Sequence, residues 1–329
     1  LQKTHPHRVA RLIEAWFARH QRSLPWRDGY DPYHVWVSEI MLQQTRVDVV
    51  LPYFSRFLAR FPDVSALAKA SDDDVTAAWS GLGYYRRARM LRDGARKVVE
   101  TFNGVIPSTV DALLTIPGIG RYTAGAIASI AFEARAPIVD GNVARVVARL
   151  FATDEDAWLY AAALVNASKA PRMLNQGLME LGALICTPRN PSCLICPARK
   201  ECVAAQTGRV DEFPKAKPKM ITRTLRIPLF IVIDRRGRIL MRREEGALMT
   251  GMWHLPHGNT SLLGGEAFNA QSLQTLGVVR HTVTNRKIEF VVSTAEVTRA
   301  PRGYVWMTRD AIVDLPHPSY VRKALALLS

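Results

Sequence analysis

The 329-residue chain contains four cysteines, and all of them fall in one stretch: Cys186, Cys193, Cys196 and Cys202. A secreted disulfide framework spreads its cysteines over the fold. Thiols spaced C-x6-C-x2-C-x5-C, with Pro188, Asn190, Pro191 and Pro197 turning the chain between them, point instead to a metal centre in a reducing compartment. Structural zinc sites with four thiolates generally use two C-x2-C knuckles. Here there is one, and a single loop wrapping four corners suits a [4Fe–4S] cube as well or better. On spacing alone, zinc and the cluster both stay open.

A second chemical signal lies at Leu114-Thr115-Ile116-Pro117-Gly118-Ile119-Gly120-Arg121-Tyr122-Thr123-Ala124-Gly125. One helix ends at a Pro, Gly118 and Gly120 permit a tight turn, and another helix starts at once. Backbone N–H groups exposed at such a helix-hairpin-helix turn can grip a phosphate without reading base sequence. An ordinary αα turn with a Gly cap is the plain alternative. The charge favours the phosphate reading: 44 Lys and Arg against 29 Asp and Glu leave 44 − 29 = +15. Each cation set against a phosphate releases a condensed counterion, so such an excess suits a polyanionic partner. About twenty residues downstream, Val139-Asp140-Gly141-Asn142 would by itself be a turn or a helix N-cap.

The elements that must position these residues read as mostly helical. Val9, Leu12, Ile13, Trp16 and Phe17 give an amphipathic helix over residues 8–20. Short helices broken by Pro, Gly and Asp/Ser caps continue to about Ala205, with a start at Ser71-Asp72-Asp73-Asp74 and a stop at Phe102-Asn103-Gly104. Residues 206–224 lose apolar periodicity and carry Gly208, Pro214, Pro218 and five basic residues, as a linker would. Residues 225–329 turn β-rich. Phe230–Ile233 and Arg238–Met241 around Asp234-Arg235-Arg236-Gly237 predict a hairpin, Lys287–Val297 a further strand, and Arg309–Leu328 a helix broken at Leu-Pro-His-Pro. The division is therefore a helical domain 1–205, a basic linker 206–224 and a small α/β domain 225–329. Charged residues at 22% and hydrophobic residues at 48% fit a soluble globular protein. No apolar run nears the roughly 20 residues of a membrane span, and the N-terminus lacks the core of a secretory signal. A cytoplasmic protein, nucleoid-associated if bacterial and acting as a monomer, is expected.

With the hairpin (114–125), the Asp140 turn and the cysteine loop (186–202) in this order, the chain resembles the endonuclease III superfamily of base-excision DNA glycosylases, and within it the MutY family. Leu24-Pro25-Trp26-Arg27, Ser38-Glu39-Ile40-Met41-Leu42-Gln43-Gln44-Thr45, Gly81-Leu82-Gly83-Tyr84-Tyr85 and Met179-Glu180-Leu181-Gly182-Ala183 are similar to that family's motifs, in the same order. The resemblance implies a mainly α helix-hairpin-helix glycosylase domain with an iron–sulfur loop, followed by a smaller α/β Nudix-like domain. It also implies a [4Fe–4S] cluster on Cys186, Cys193, Cys196 and Cys202. The implied activity is monofunctional hydrolysis of the N-glycosidic bond of adenine in duplex DNA, opposite 8-oxoguanine or guanine.

Residue roles follow from the same resemblance. Bifunctional relatives carry a nucleophilic Lys at the position of Tyr122; a phenol cannot form a Schiff base, so base loss without strand cleavage is implied. Glu39, flanked by Trp36, Val37, Ile40 and Met41, would protonate the purine, since an apolar setting raises a carboxyl pKa towards the working pH. Asp140 would stabilise the oxocarbenium-like sugar, with Tyr122 and Asn142 as hydrogen-bonding support. Arg22, Leu24, Trp26 and Gln176 would line the base pocket, Gln44 and Tyr84 would wedge near the partner base, and Gly118 and Gly120 would hold the backbone. The second domain keeps a Nudix-like lead-in at Gly251–Gly258, but residues 270–278 lack the carboxylates that would hold Mg²⁺. A lesion-reading role through Thr284 and Asn285 is implied, with Val283 and Asn285 departing from the family's Phe-Ser-His pattern. The alternative within repair is a thymine or uracil glycosylase acting opposite guanine; from another class, a non-catalytic DNA-binding scaffold.

Overall fold

The computed structural model describes residues 4–215, 223–244, 251–258, 268, 272–283, 286–297 and 299–328. Thr284 and Asn285 lie outside these. The chain divides into two compact units, residues 1–69 with 90–217 and residues 70–89 with 218–329. No helix among the described residues is long and apolar enough to cross a membrane.

In the first unit, helix Pro6–His20 starts on a proline, whose missing N–H costs nothing at that position, and buries Val9, Ala10, Ile13, Trp16 and Phe17. These pack with Val143, Val147, Leu164, Leu174 and Leu178 from helices Gly141–Phe151, Ala157–Ala167 and Pro171–Leu184 in one core. Helix Pro32–Leu42 is buried without a break from Val35 to Met41. Its cap is Asp31, whose carboxylate accepts the N–H groups of Tyr33 and His34. A helix that is apolar nearly all round has no solvent face, so the one carboxylate it carries, Glu39, goes into the interior. The first part of the expected linker is packed too: Phe213 is buried, and Arg149 donates to the carbonyls of Val210 and Phe213.

In the second unit, strands β1 (Arg223–Val232), β2 (Ile239–Arg243), β3 (Trp253–His254), β4 (Ser272–Val283), β5 (Arg286–Ala295) and β6 (Tyr304–Met307) form two three-stranded sheets, ordered β1-β5-β4 and β3-β2-β6. Helices Arg309–Asp314 and Ser319–Leu325 are separated at Leu315–Pro318, as expected. The expected 230–241 hairpin is corrected. Its turn exists, with the Asp234 carboxylate accepting the N–H groups of Arg236 and Arg238 and a single bridge joining Ile233 to Ile239. The strands then part into different sheets, because β1 gains a ladder of ten residue pairs, parallel, with β5. Being apolar on both faces, β1 serves one core through Ile227, Leu229 and Ile231 and another through Phe230 and Val232.

Residues 70–89, read from sequence as part of the helical domain, group instead with the C-terminal unit. Ser80 and Tyr85 donate their hydroxyls to the His317 carbonyl at 3.5 and 3.1 Å, and Asp73 pairs with Arg243. Those contacts join segments over 160 residues apart, a distance at which local pattern carries no signal.

Candidate active site and cysteine centre

The first unit holds a cavity of about 970 Å³. Glu39, Tyr122, Asp140, Asn142, Arg22, Leu24, Trp26, Gln176, Gln44, Gly118 and Gly120 all border it.

Glu39 is 6% exposed, and its Oε2 accepts the Tyr122 hydroxyl at 2.6 Å. Burial pushes its carboxyl up to about 7; the Tyr122 hydrogen bond works against that rise, the charge on Asp140 adds to it, and Arg27 opposes it. The same burial, with Glu39 beside it, holds Tyr122 protonated well above the usual phenol range. Tyr122 is presented by the hairpin between helices Val110–Leu114 and Arg121–Ala126. The turn needs glycine at 118, where φ is +81° and a Cβ would sit 2.8 Å from that of Met90.

Asp140 caps helix Gly141–Phe151: Oδ1 accepts the Val143 N–H at 2.7 Å, and Oδ2 accepts the Asn142 side-chain amide at 2.9 Å. Asn142 is gripped in turn by Arg145, which donates to Asn142 Oδ1 at 2.9 Å and to the carbonyls of Gly182 and Cys186, both at 2.7 Å. Helix Pro171–Leu184 passes so close that a Cβ at Gly182 would lie 2.6 Å from the Asn142 Cβ. The glycine in Met179-Glu180-Leu181-Gly182 is thus a condition for the capping turn to sit where it does.

Two cavity residues escaped the sequence reading as site residues. Glu180, 2% exposed, accepts Arg22 Nε at 2.7 Å, Arg22 Nη2 at 2.9 Å and Arg27 Nη2 at 3.0 Å. Burial alone would raise its carboxyl, but the two guanidinium groups hold it below the usual range. Arg27 also donates to Gln176 Oε1 at 3.0 Å, which fixes the orientation of that buried amide. The available signal was a pair of opposite charges inside two otherwise apolar motifs. Leu24 and Trp26 are buried, with Trp26 edge-on to Phe54 at 5.3 Å. Tyr84 does not join the cavity: it lies in the other unit, 44% exposed with φ +49°.

The four cysteines are free thiols facing a second, small cavity with Arg149 and Arg199. The four thiols thus share one small cavity, and a [4Fe–4S] cluster would take one thiolate on each of its four irons. Arg149 supports an anionic occupant. It is 3% exposed and donates to Cys186 Sγ at 3.4 Å, to the Thr187 carbonyl at 2.8 Å and to further carbonyls, with no carboxylate paired to it among the described residues. A buried guanidinium needs a counter-charge, and a thiolate-bound metal cluster supplies one.

Residues 37–164 match the HhH-GPD superfamily of base excision DNA repair proteins, and residues 229–327 match the NUDIX domain. An adenine DNA glycosylase of Mus musculus is 34% identical over 95% of this chain and 76% of its own. One of Homo sapiens is 46% identical over 90% of this chain and 69% of its own. Among solved structures, a thermostable thymine-DNA glycosylase aligns with TM-score 0.57 and 30% identity over 61% of this chain and 97% of that one. A non-covalent endonuclease III–DNA complex aligns with TM-score 0.53 and 21% identity over 61% of this chain and 94% of that one, a likeness of fold.

Proposed function

The chain belongs to the adenine DNA glycosylase family, and from that premise we propose that it hydrolyses the N-glycosidic bond of adenine mispaired with 8-oxoguanine or guanine in duplex DNA. The observation that carries this reading is a buried carboxyl with a pKa of about 7, Glu39, bordering the same cavity as Asp140. Adenine is a poor leaving group as an anion and a good one once a ring nitrogen is protonated, so the site needs a carboxyl that still holds its proton near neutral pH.

The target base must leave the stack to be reached. Extruded adenine enters the cavity against Leu24 and Trp26, with Gln176 and the Arg22–Glu180–Arg27 cluster fixing its polar edge. Glu39 gives its proton to N7. As the bond lengthens, the Asp140 carboxylate faces the positive sugar, held in place by Asn142 and the Val143 N–H. Glu39, now ionised and still hydrogen-bonded by Tyr122, takes the proton of the attacking water. Tyr122 has no amine, so strand breaks should follow only after alkali.

Gly118 and Gly120 present backbone N–H groups to phosphate, and Gln44 approaches the orphaned partner base. Cys186, Cys193, Cys196 and Cys202 would hold a [4Fe–4S] cluster, whose negative charge would offset that of the buried Arg149. The second unit would read the base opposite adenine through Thr284 and Asn285; β4 and β5 pair as far as Val283 with Arg286. With Val283 and Asn285 in place of an aromatic and a histidine, weaker preference for 8-oxoguanine is expected.

The likeness to a thymine-DNA glycosylase gives the second reading, thymine removal opposite guanine. That match uses 97% of the other chain and 61% of this one, whereas the mouse and human adenine DNA glycosylases align over 95% and 90% of this chain. Single-turnover cleavage on duplexes bearing A:8-oxoguanine, A:G, A:C and T:G separates the two. Alkali-dependent cleavage at adenine is expected, with the A:8-oxoguanine to A:G ratio rising in a V283F/N285H double mutant. Cleavage of T:G alone would overturn the reading.

A further inference from the structure

Arg121 is the residue between the last hairpin glycine and Tyr122, and it is exposed at the border of the cavity. Its guanidinium carbon stands 3.9 Å from the ring centroid of Trp158, on helix Ala157–Ala167. Trp158 lies in the first turn of that helix, where the cap Asp156 accepts the Trp158 backbone N–H through Oδ1 at 3.1 Å. No hydrogen bond or ion pair engages Arg121 among the described residues. Four other arginines at or near the cavity are engaged internally, Arg22 and Arg27 on Glu180, Arg145 and Arg149 on backbone carbonyls.

A guanidinium lying on an aromatic face keeps its N–H edge free, and that edge matches two oxygens of a phosphate. The stacking also removes much of the rotamer freedom that an exposed arginine would otherwise lose on binding. The same residue is covalently next to the tyrosine that hydrogen-bonds Glu39. A phosphate gripped here therefore tethers the strand entering the cavity at a fixed distance from the acid.

We propose that Arg121 is a ligand for a backbone phosphate of the strand that delivers the target base, with Trp158 as its positioning residue. The proposal rests on the reading of the cavity as a DNA glycosylase site. It goes beyond the hairpin's backbone N–H groups by adding a side-chain contact with a defined direction.

The test uses the full chain and a duplex carrying a tetrahydrofuran abasic analogue, so that the identity of the excised base plays no part. Affinity is measured from 50 to 300 mM KCl. For R121A the slope of log K against log [KCl] should become shallower by about 0.9, the value for one lost phosphate contact. W158A should weaken binding by roughly two- to five-fold, W158F should restore most of that, and W158A should have no further effect in an R121A background. Neutral methylphosphonate linkages placed singly around the abasic site should cost wild type affinity at one position and cost R121A nothing there. An unchanged salt slope for R121A, additive effects of R121A and W158A, or a methylphosphonate profile identical in wild type and R121A would each overturn the proposal. Failure of wild type to prefer the abasic duplex would instead count against the glycosylase reading itself.

Discussion

Glu39→Gln is expected to lower adenine excision by a factor on the order of 10²–10⁴, the range for loss of a positioned general acid, while making the folded protein more stable above neutral pH. The two effects share one cause. Burial raises the folded-state pKa of Glu39 to about 7, whereas an unperturbed glutamate titrates at about 4.3. Between those values the unfolded chain releases a proton that the folded chain keeps, so stability falls as pH rises from about 4 to about 7, and above 7 the folded state carries a buried carboxylate. Glutamine keeps the shape and an oxygen for the Tyr122 hydroxyl but removes that penalty. The variant should gain ~1–3 kcal/mol at pH 8 and close to nothing at pH 4, read by urea unfolding of both proteins at the two pH values. A variant that is inactive and equally destabilised at both would mean that Glu39 is an ordinary structural residue.

Asp140→Asn separates charge from architecture at the second carboxylate. Asp140 accepts the Val143 N–H and the Asn142 amide, and both bonds lie at the start of helix Gly141–Phe151. Asparagine keeps the oxygen for the Val143 N–H and is about as good an N-cap as aspartate, but its amide cannot also accept from Asn142, so stability should fall by about 1 kcal/mol, the value of one hydrogen bond. Its neutral oxygen offers far less to a developing sugar cation, and excision should fall by about 10²–10³-fold. Asp140→Ala should show the same loss of rate together with a further ~1 kcal/mol of lost stability, that of the cap. Equal, near-wild-type rates for Asn and Asp would show that the charge faces no reacting group.

How much of this was legible in the amino-acid order depends on the range of the interaction. The hairpin at 114–125 and the cap at Asp140 are local: turn residues, glycines and a capping side chain lie within a few positions of the groups they serve. The burial of Glu39 was legible for the same reason, since Val35–Met41 offers no polar face on which a carboxylate could escape. The four thiols lie on one loop, and their spacing survived folding as a shared cavity. Arg27 and Glu180 were not legible as partners, because 153 residues separate them and only packing brings them together. The same limit hid the grouping of residues 70–89 with the C-terminal unit and the stacking of Arg121 on Trp158. Where local pattern did mislead, at residues 230–241, the turn chemistry was right and a longer ladder with β5 won over the hairpin.

The central claim is that a buried acid titrating near neutrality delivers the proton that releases adenine. Its most direct test is the single-turnover excision rate of adenine opposite 8-oxoguanine from pH 5.5 to 9, for wild type and Tyr122→Phe. The rate should be level at low pH and fall as pH rises through about 7. Tyr122 stabilises the ionised form of Glu39, so its removal should move that fall to higher pH by on the order of one pH unit. A rate that stays flat to pH 9, or a fall that stays in place when the phenol is removed, would contradict the assignment of Glu39 as the proton donor.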